Sequence, residues 1–238
     1  MSKKIKRENF IHNNEPNISR RIREIVFGTE DGIVSTVGAL TGIAVATGDQ
    51  FIVITSGIVI IVVESISMGI GSYLSGKSVE EIKERKIHEE KIELEDSKEK
   101  EKEELIQIFR RDGWPNSFSK EMADVASKDK ELMFKEMAYR ELLLFPGQTK
   151  NNFSEGLTMF FSYVVGGGIS LLAYFLFFIP QAIILSIIFA LIGLFLLGVI
   201  TSRFTKLRWW KIGMRMLFLG AISVLVGYII GQIANNFK

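Results

Sequence analysis

The sequence contains no cysteine, only two histidines and only four prolines. The absence of cysteine excludes disulfides, thiolate metal sites and cysteine nucleophiles, and it leaves the redox compartment undecided. No Glu-x-x-His pair is present, which gives little support to a soluble di-iron carboxylate enzyme. The chain also lacks a P-loop, a Gly-x-Ser-x-Gly motif and a His-Glu-x-x-His motif. These absences argue against ATP-driven transport by this chain and against hydrolysis, and we expect a protein that is not an enzyme.

Long apolar runs are the main feature of the sequence. Hydrophobic residues make up 47% of the 238 residues and the mean hydropathy is +0.24, although 24% of the residues are charged. A bilayer core about 30 Å thick requires roughly 20 apolar residues in a helix. Five stretches meet this requirement, at about 26–47, 51–75, 157–179, 182–202 and 212–233. The sequence therefore predicts an all-α, polytopic membrane protein with five transmembrane helices.

One long charged segment, at residues 76–152, separates the second predicted span from the third. Its pattern is mostly helical, with a clear break at Gly113-Trp114-Pro115-Asn116. We expect a three-helix insert there. The predicted organisation is an N-terminal segment at 1–23, two spans at 24–75, the insert at 76–152 and three spans at 153–238.

Lysine and arginine predict the orientation of the spans. They are frequent in the N-terminal segment, in the insert and at 203–211, and they are absent from the turns at 48–50 and 180–181. With five spans, all of the basic segments fall on one side, which is then the cytoplasmic side. We expect a cell-membrane protein with its N-terminus and insert in the cytoplasm. The net charge of +2 gives no basic field for nucleic acid.

Two predicted spans contain acidic residues. Asp31 lies in the first span and Glu64 in the second, where a carboxylate costs roughly 2.5–3.5 kcal/mol unless it faces a bundle interior, a water path or a cation. Met68 lies one turn after Glu64 on the same helix face. A carboxylate beside a thioether suits a transition-metal cation, because sulfur disfavours magnesium and calcium. Glu30 is interpreted as a solvated residue at the helix entrance.

The insert contains acidic pairs at helical spacing. Three pairs are each three or four residues apart, and they are Glu90 with Glu93, Glu101 with Glu104, and Met137 with Glu141. Three helices packed side by side could bring these six residues together as an oxygen-rich metal site with one soft donor. The alternative for any single pair is a solvated helix with many ion pairs.

Several motifs resemble the vacuolar iron transporter family, including its bacterial members. They are REIVFG at 23–28, DGIVST at 31–36, and SMGIG at 67–71 with YLS at 73–75, and the insert has the family's length and position. One departure is Ser72, because many members have a glutamate at this position. Glu64, one turn before Met68, is a candidate for its replacement.

The resemblance implies a homodimer with five spans in each protomer and exchange of iron for protons near the dimer axis. It also implies that Asp31 and Met68 belong to the transport path. It implies metal binding by six residues of the insert, namely Glu90, Glu93, Glu101, Glu104, Met137 and Glu141.

The residues and the resemblance together predict export of ferrous iron from the cytoplasm in exchange for protons, with the metal as substrate and no cofactor. One alternative is export of manganese or of a broad range of divalent metals. Another is a membrane-anchored metal buffer or sensor, although a mere anchor gains nothing from acids inside its spans. A membrane ferroxidase would need a compact paired-iron site, and the scarcity of histidine weakens that interpretation.

Overall fold

The computed structural model of the chain describes residues 15–141 and 151–237, with side chains from residue 20 onward. Residues 1–14 of the expected N-terminal segment and 142–150 of the expected insert lie outside the described residues. The described part is all-helical. Its eight helices are α1 Glu15–Thr47, α2 Gln50–Asp96, α3 Lys98–Arg111, α4 Asn116–Ala126, α5 Lys130–Arg140, α6 Asn152–Leu176, α7 Gln181–Thr205 and α8 Trp209–Asn235.

The chain divides into two compact units. The first unit comprises Met1–Tyr73 and Asn152–Lys238, and the second comprises Leu74–Asn151. Among the described residues, four helices are long and apolar enough to cross a membrane, namely α2, α6, α7 and α8. An all-helical membrane protein is therefore confirmed, whereas the fifth span and the cytoplasmic position of the insert stay predictions.

Helix α1 corresponds to the predicted first span. It is less apolar than α2, α6, α7 and α8 and is not among the helices that qualify as spans by composition. Its acidic pair Glu30-Asp31 and its many glycines and threonines lower the apolar content. It nevertheless packs against α6, α7 and α8 in the first unit. Ile33, Val37 and Leu40 of α1 are fully buried there. Side chains that face other helices rather than lipid do not need to be uniformly apolar, which explains the weaker signal.

Helix α2 continues well beyond the expected end of the second span at residue 75. It has 47 residues, and the predicted start of the insert at residue 76 falls inside it. A single glycine, Gly76, does not end a helix. Ion pairs one turn apart, Lys77 with Glu81 and Arg85 with Glu89, support the polar half of α2.

Glycines allow close packing of the helices in the first unit. Gly28 lies against Met159 and Gly32 against Tyr163, so α1 and α6 run in the same direction. A Cβ atom placed on Gly32 would lie only 2.5 Å from the carbonyl oxygen of Tyr163. Small residues give this close backbone approach in membrane bundles, where lipid supplies no hydrophobic force between helices.

Replacing Gly32 with alanine should therefore destabilise the first unit by about 1–3 kcal/mol, the usual cost of overpacking. Thermal unfolding in detergent measures the effect. Gly168→Ala on α6 is the matched control, because no atom lies within 4 Å of a Cβ at that position. Equal stability of the two variants would contradict the close crossing of α1 and α6.

The second unit has its own hydrophobic core. Leu105, Phe109, Met133 and Met137 are buried together, and Leu94 of α2 packs against them. Polar contacts fix the helices around this core: Lys102 pairs with Asp124 at 2.6 Å, which joins α3 to α4. Arg140 of α5 lies over the Phe109 ring at 4.6 Å and pairs with Asp112 at 2.7 Å.

The expected three-helix insert contains three helices of its own, α3 to α5, and the last turns of α2 as a fourth element. The sequence interpretation missed the break between α4 and α5. Asp129 marks this break, because its carboxylate accepts hydrogen bonds from the backbone N–H groups of Glu131 and Leu132. An N-cap of this type begins a new helix, and it was the available signal.

Candidate metal sites

Three carboxylates of the second unit lie close enough together to share a metal ion. Glu90 comes from α2, Glu101 from α3, and Glu141 directly follows α5. One carboxylate oxygen from each residue lies within 4.8 Å of the others. The turn at Ser97 between α2 and α3 sets Glu90 opposite Glu101, and the end of α5 adds Glu141. Three convergent oxygen donors are a set that hard and borderline divalent cations accept.

Two of the three carboxylates in this cluster are deeply buried, whereas Glu141 is exposed. Glu90 and Glu101 are only 3% and 2% exposed. One oxygen of each, Oε1 of Glu90 and Oε2 of Glu101, is buried without a hydrogen-bond partner among the described residues. A buried anionic oxygen without a donor is costly, because neither water nor a polar group replaces its hydration. A bound cation would satisfy both oxygens at once.

Electrostatic repulsion adds to the effect of burial. Burial, followed by the charges of Glu141 and Glu101, raises the pKa of Glu90 to about 7. The pKa values of Glu101 and Glu141 are also raised, first by burial and then by Glu104. Near neutral pH the metal-free cluster therefore retains a proton at Glu90 in part of the molecules, and a cation that binds there must displace it.

The other three predicted residues of the insert lie in different surroundings. Glu93 and Glu104 are close enough to raise the pKa of Glu90, and they surround the three central carboxylates. Met137 is fully buried in the hydrophobic core of the unit. Its predicted role as a soft metal ligand stays a prediction.

In the first unit, the two predicted acids of the spans lie within electrostatic range of each other. Asp31 on α1 is half-buried and interacts electrostatically with Glu64 on α2. Glu64 is exposed in the single chain, although it lies within an apolar stretch of α2. Met68, one turn further along α2, is partly buried. Carboxylate and thioether groups are donor types that a divalent transition-metal cation accepts.

A hydroxyl chain reaches the Asp31 backbone, and the sequence interpretation missed it. Tyr163 of α6 is fully buried, and its hydroxyl lies 2.6 Å from Oγ of Ser35. Ser35 in turn donates to the carbonyl oxygen of Asp31 at 2.6 Å. The tyrosine hydroxyl also interacts electrostatically with Asp31 and Glu64. A tyrosine inside an apolar span was the available signal, since its hydroxyl needs a polar partner when buried.

A third acid of the first unit, Glu24, was also missed. It is only 1% exposed on α1. Ser72 of α2 donates a hydrogen bond to its Oε2 at 3.0 Å, and Arg23 pairs with its Oε1 at 2.6 Å. The sequence signal was its position two helical turns before Asp31 on the same face.

These features define the class of the molecule. Four helices have the length and composition of membrane spans, and the bundle that contains them holds carboxylates among its packed side chains. A separate polar unit presents a carboxylate cluster of the kind that binds metal ions. The chain is an integral membrane protein with a cluster of carboxylates that could hold a metal ion.

The chain belongs to the VIT family, because the family's model matches residues 22–232. It is 28% identical over 219 residues to vacuolar iron transporter 1 of Arabidopsis thaliana, covering 90% of this chain and 86% of that protein. It is 25% identical over 236 residues to the vacuolar iron transporter of Plasmodium falciparum, covering 94% of this chain and 86% of that protein. The resemblance inferred from the sequence motifs is thereby confirmed, and the protein belongs to a family of transporters and not of enzymes.

Proposed function

We propose that this protein exports ferrous iron from the cytoplasm in exchange for protons. Support comes from relatives that are named as iron transporters, and from one cluster of three carboxylates that could hold a divalent cation. The observation that carries the proposal is the pair Asp31 and Glu64 within the span-bearing unit. In a buffer or sensor whose spans only anchor the insert, acids inside the spans would cost free energy without serving a function. Intramembrane acids persist where an ion visits them.

The proposed cycle begins at the carboxylates of the insert, which capture the ion from the cytoplasm. The ion then binds at Asp31, Glu64 and Met68 and leaves on the far side. Protons occupy the vacated carboxylates, because a carboxylate in poorly hydrated surroundings favours its neutral form. Metal and proton therefore compete for the same oxygens, and this competition couples the two flows.

We further propose a homodimer with five spans in each protomer, α1 being the first, in the cell membrane. The exposure of Glu64 supports a second copy. Its neighbours Val62, Val63 and Ile66 are also exposed in the single chain, so apolar side chains on several sides of α2 are uncovered around this acid. Exposing that acid to lipid would cost roughly 2.5–3.5 kcal/mol. Covering it with the same face of a partner would provide a shared polar path.

A flux assay in proteoliposomes tests the transport itself. Wild-type protein with an imposed pH gradient should carry ferrous iron, and a pH dye should report proton movement that depends on the metal. Empty liposomes and a collapsed gradient are the controls. Manganese belongs in the same assay, because oxygen and thioether donors do not separate it from iron. Metal flux without any proton movement would rule out the exchange, and absence of all metal flux would rule out transport.

A further inference from the structure

The short connection between α7 and α8 is an exposed and strongly basic surface. Both helices have the length and composition of membrane spans, and only residues 206–208 separate them, so the connection lies at a boundary between membrane and water. Every residue from 203 to 211 is exposed. We call the five cations of this connection and of the first turns of α8 the basic hairpin, and they are Arg203, Lys206, Arg208, Lys211 and Arg215.

The positive charges of the basic hairpin are not neutralised by carboxylates. Among the residues that the structure describes, none of the five forms an ion pair. The chain contains no aspartate or glutamate after Glu155, so no acid is available from the neighbouring sequence either. Like charges this close together repel one another, and an anion placed among them would relieve the repulsion.

Two tryptophans place the basic hairpin at the depth of the lipid headgroups. Trp209 and Trp210 are about half-exposed, and tryptophan is enriched where the hydrocarbon core meets the headgroups. Trp209 packs edge-on against Phe195 of α7 with 6.1 Å between the ring centres, which fixes its position. The Nζ atom of Lys211 lies 5.8 Å from the centre of the Trp210 ring. The cations are therefore held close to the level of the lipid phosphates.

The backbone at Lys206 is a separate indication that the charge of this connection is useful. Lys206 follows the last residue of α7 in the left-handed conformation, with φ of 55°, and among the described residues no other non-glycine residue has a positive φ. Glycine is the usual residue at such a helix end, because it has no Cβ atom to clash. The turn by itself thus favours glycine, and the lysine side chain serves a purpose other than the turn.

From these observations we propose that the basic hairpin binds the headgroups of anionic phospholipids in the surrounding bilayer. The ligand class is a phospholipid with a net negative charge, such as phosphatidylglycerol. Clusters of lysine and arginine next to the end of a span attract such lipids. Exposed apolar side chains of the two spans, such as Ile200 and Met214, provide a surface for the acyl chains. The inference goes beyond the proposed ion transport and does not depend on it.

The competing interpretation is that these cations only set the orientation of the spans during insertion. The folded protein would then not distinguish anionic from zwitterionic lipid. Lys206→Gly separates the two interpretations, because it relieves the backbone strain and removes one cation at the same time. If the hairpin binds lipid, this variant should unfold at a higher temperature in detergent without anionic lipid, and it should show a weaker preference for phosphatidylglycerol.

Quenching of tryptophan fluorescence by brominated lipids measures this preference in the full chain. Trp114 belongs to the second unit, so Trp114→Phe leaves Trp209 and Trp210 as the only tryptophans. In bilayers of phosphatidylcholine with either brominated phosphatidylglycerol or brominated phosphatidylcholine, the anionic lipid should bind about 3- to 10-fold more tightly. The preference should fall towards one when Arg203→Gln, Lys206→Gln and Arg208→Gln are combined. It should also shrink at about 1 M salt, which screens the charges.

The matched control combines Lys120→Gln, Lys128→Gln and Lys130→Gln. These three lysines are exposed residues of the second unit, and their replacement removes the same net charge. The control variant should keep the preference for phosphatidylglycerol. An equal loss in the control would overturn the proposal, since the preference would then reflect the overall charge of the protein.

Two further results would also overturn it, namely equal binding of both lipids by the Trp114→Phe protein and an unchanged preference in the combined hairpin variant. Thermal unfolding of each variant in detergent identifies misfolding, and Lys206→Gly provides a test in a variant that is expected to fold at least as well as the wild type. The readout is contact with lipid and not ion flux. Absence of metal transport would therefore refute the proposed function and leave the lipid site unaffected.

Discussion

Replacing Asp31 with asparagine should abolish measurable iron flux while leaving metal binding by the insert unchanged. Asparagine keeps the size of the side chain and removes the negative charge that, in the proposed mechanism, holds the transported cation together with Glu64. Loss of a group that merely supports a metal ligand costs roughly 10- to 100-fold, and loss of a ligand at the centre of the path should cost at least that much. Proteoliposome flux and equilibrium metal binding, measured on the same preparation, check both parts.

Glu30→Gln is the control for this variant. Glu30 is adjacent to Asp31, is also half-buried, and loses the same charge in the same kind of isosteric change. Its side chain points about 100° away around the helix from that of Asp31, so it does not share the helix face that carries Glu24 and Asp31. We expect a small effect on flux. Comparable losses of iron flux in the two variants would show that the flux depends on the net charge at the start of the span and not on Asp31 as a metal ligand.

The double replacement Glu90→Gln with Glu101→Gln should remove the proposed metal site of the insert. These two residues supply the buried oxygens that lack hydrogen-bond partners among the described residues. Each lost carboxylate should weaken binding by at least about tenfold, and the pair by about 100-fold or more. Isothermal titration of the full chain in detergent measures the affinity and the number of sites.

The matched control for the insert is Glu95→Gln with Glu99→Gln. Both residues are exposed, and both flank the same turn at Ser97. The control variant loses as much charge as the test variant and should keep its affinity. If the two double variants lose affinity equally, the insert attracts metal only through its overall acidity, and the cluster of three carboxylates is not a site.

The pH dependence of the same titration follows from the raised pKa of Glu90, which is about 7. Below pH 7 a proton occupies this carboxyl group, so metal affinity should fall by up to about tenfold per pH unit for each proton displaced. In the metal-free protein, by contrast, the stabilisation that Glu90 provides should decrease as the pH rises. The folded state holds the Glu90 proton more tightly than the unfolded chain does, so the contribution of this group to stability is greatest below pH 4.5 and decreases as the pH rises towards 7.

Two measurements check this linkage. Titrations in two buffers with different ionisation enthalpies report the protons released for each metal bound. Thermal unfolding with and without metal at pH 5 and pH 7 should give a larger metal stabilisation at the higher pH. Stabilisation that does not change with pH would mean that the buried carboxylates are already ionised without the metal.

Much of the fold could be read directly from local patterns. The apolar runs predicted α6, α7 and α8 to within a few residues of their ends, because helix length in a membrane is set by bilayer thickness. The three-residue spacing of Glu90 with Glu93 and of Glu101 with Glu104 was sufficient to propose a metal site. The continuity of α2 past Gly76 and the break before α5 were not predicted, since each depends on one or two residues whose effect is decided by the surrounding helix.

The sequence by itself determined the all-helical class, the membrane spans, and which acids are unusual by their position, since hydrophobic length and helical periodicity act over short distances along the chain. Only the tertiary structure decided which of these acids meet. Glu24 lies beside Ser72, Asp31 beside Glu64, and Glu90 beside Glu141, across separations of about 30 to 50 residues. Such pairs depend on how helices pack, and the packing follows from glycine contacts and core side chains that no local pattern specifies. Tyr163 and Glu24 were likewise identified as functional candidates only from the tertiary structure, because the partners of a buried polar group are defined only when the helices are packed together.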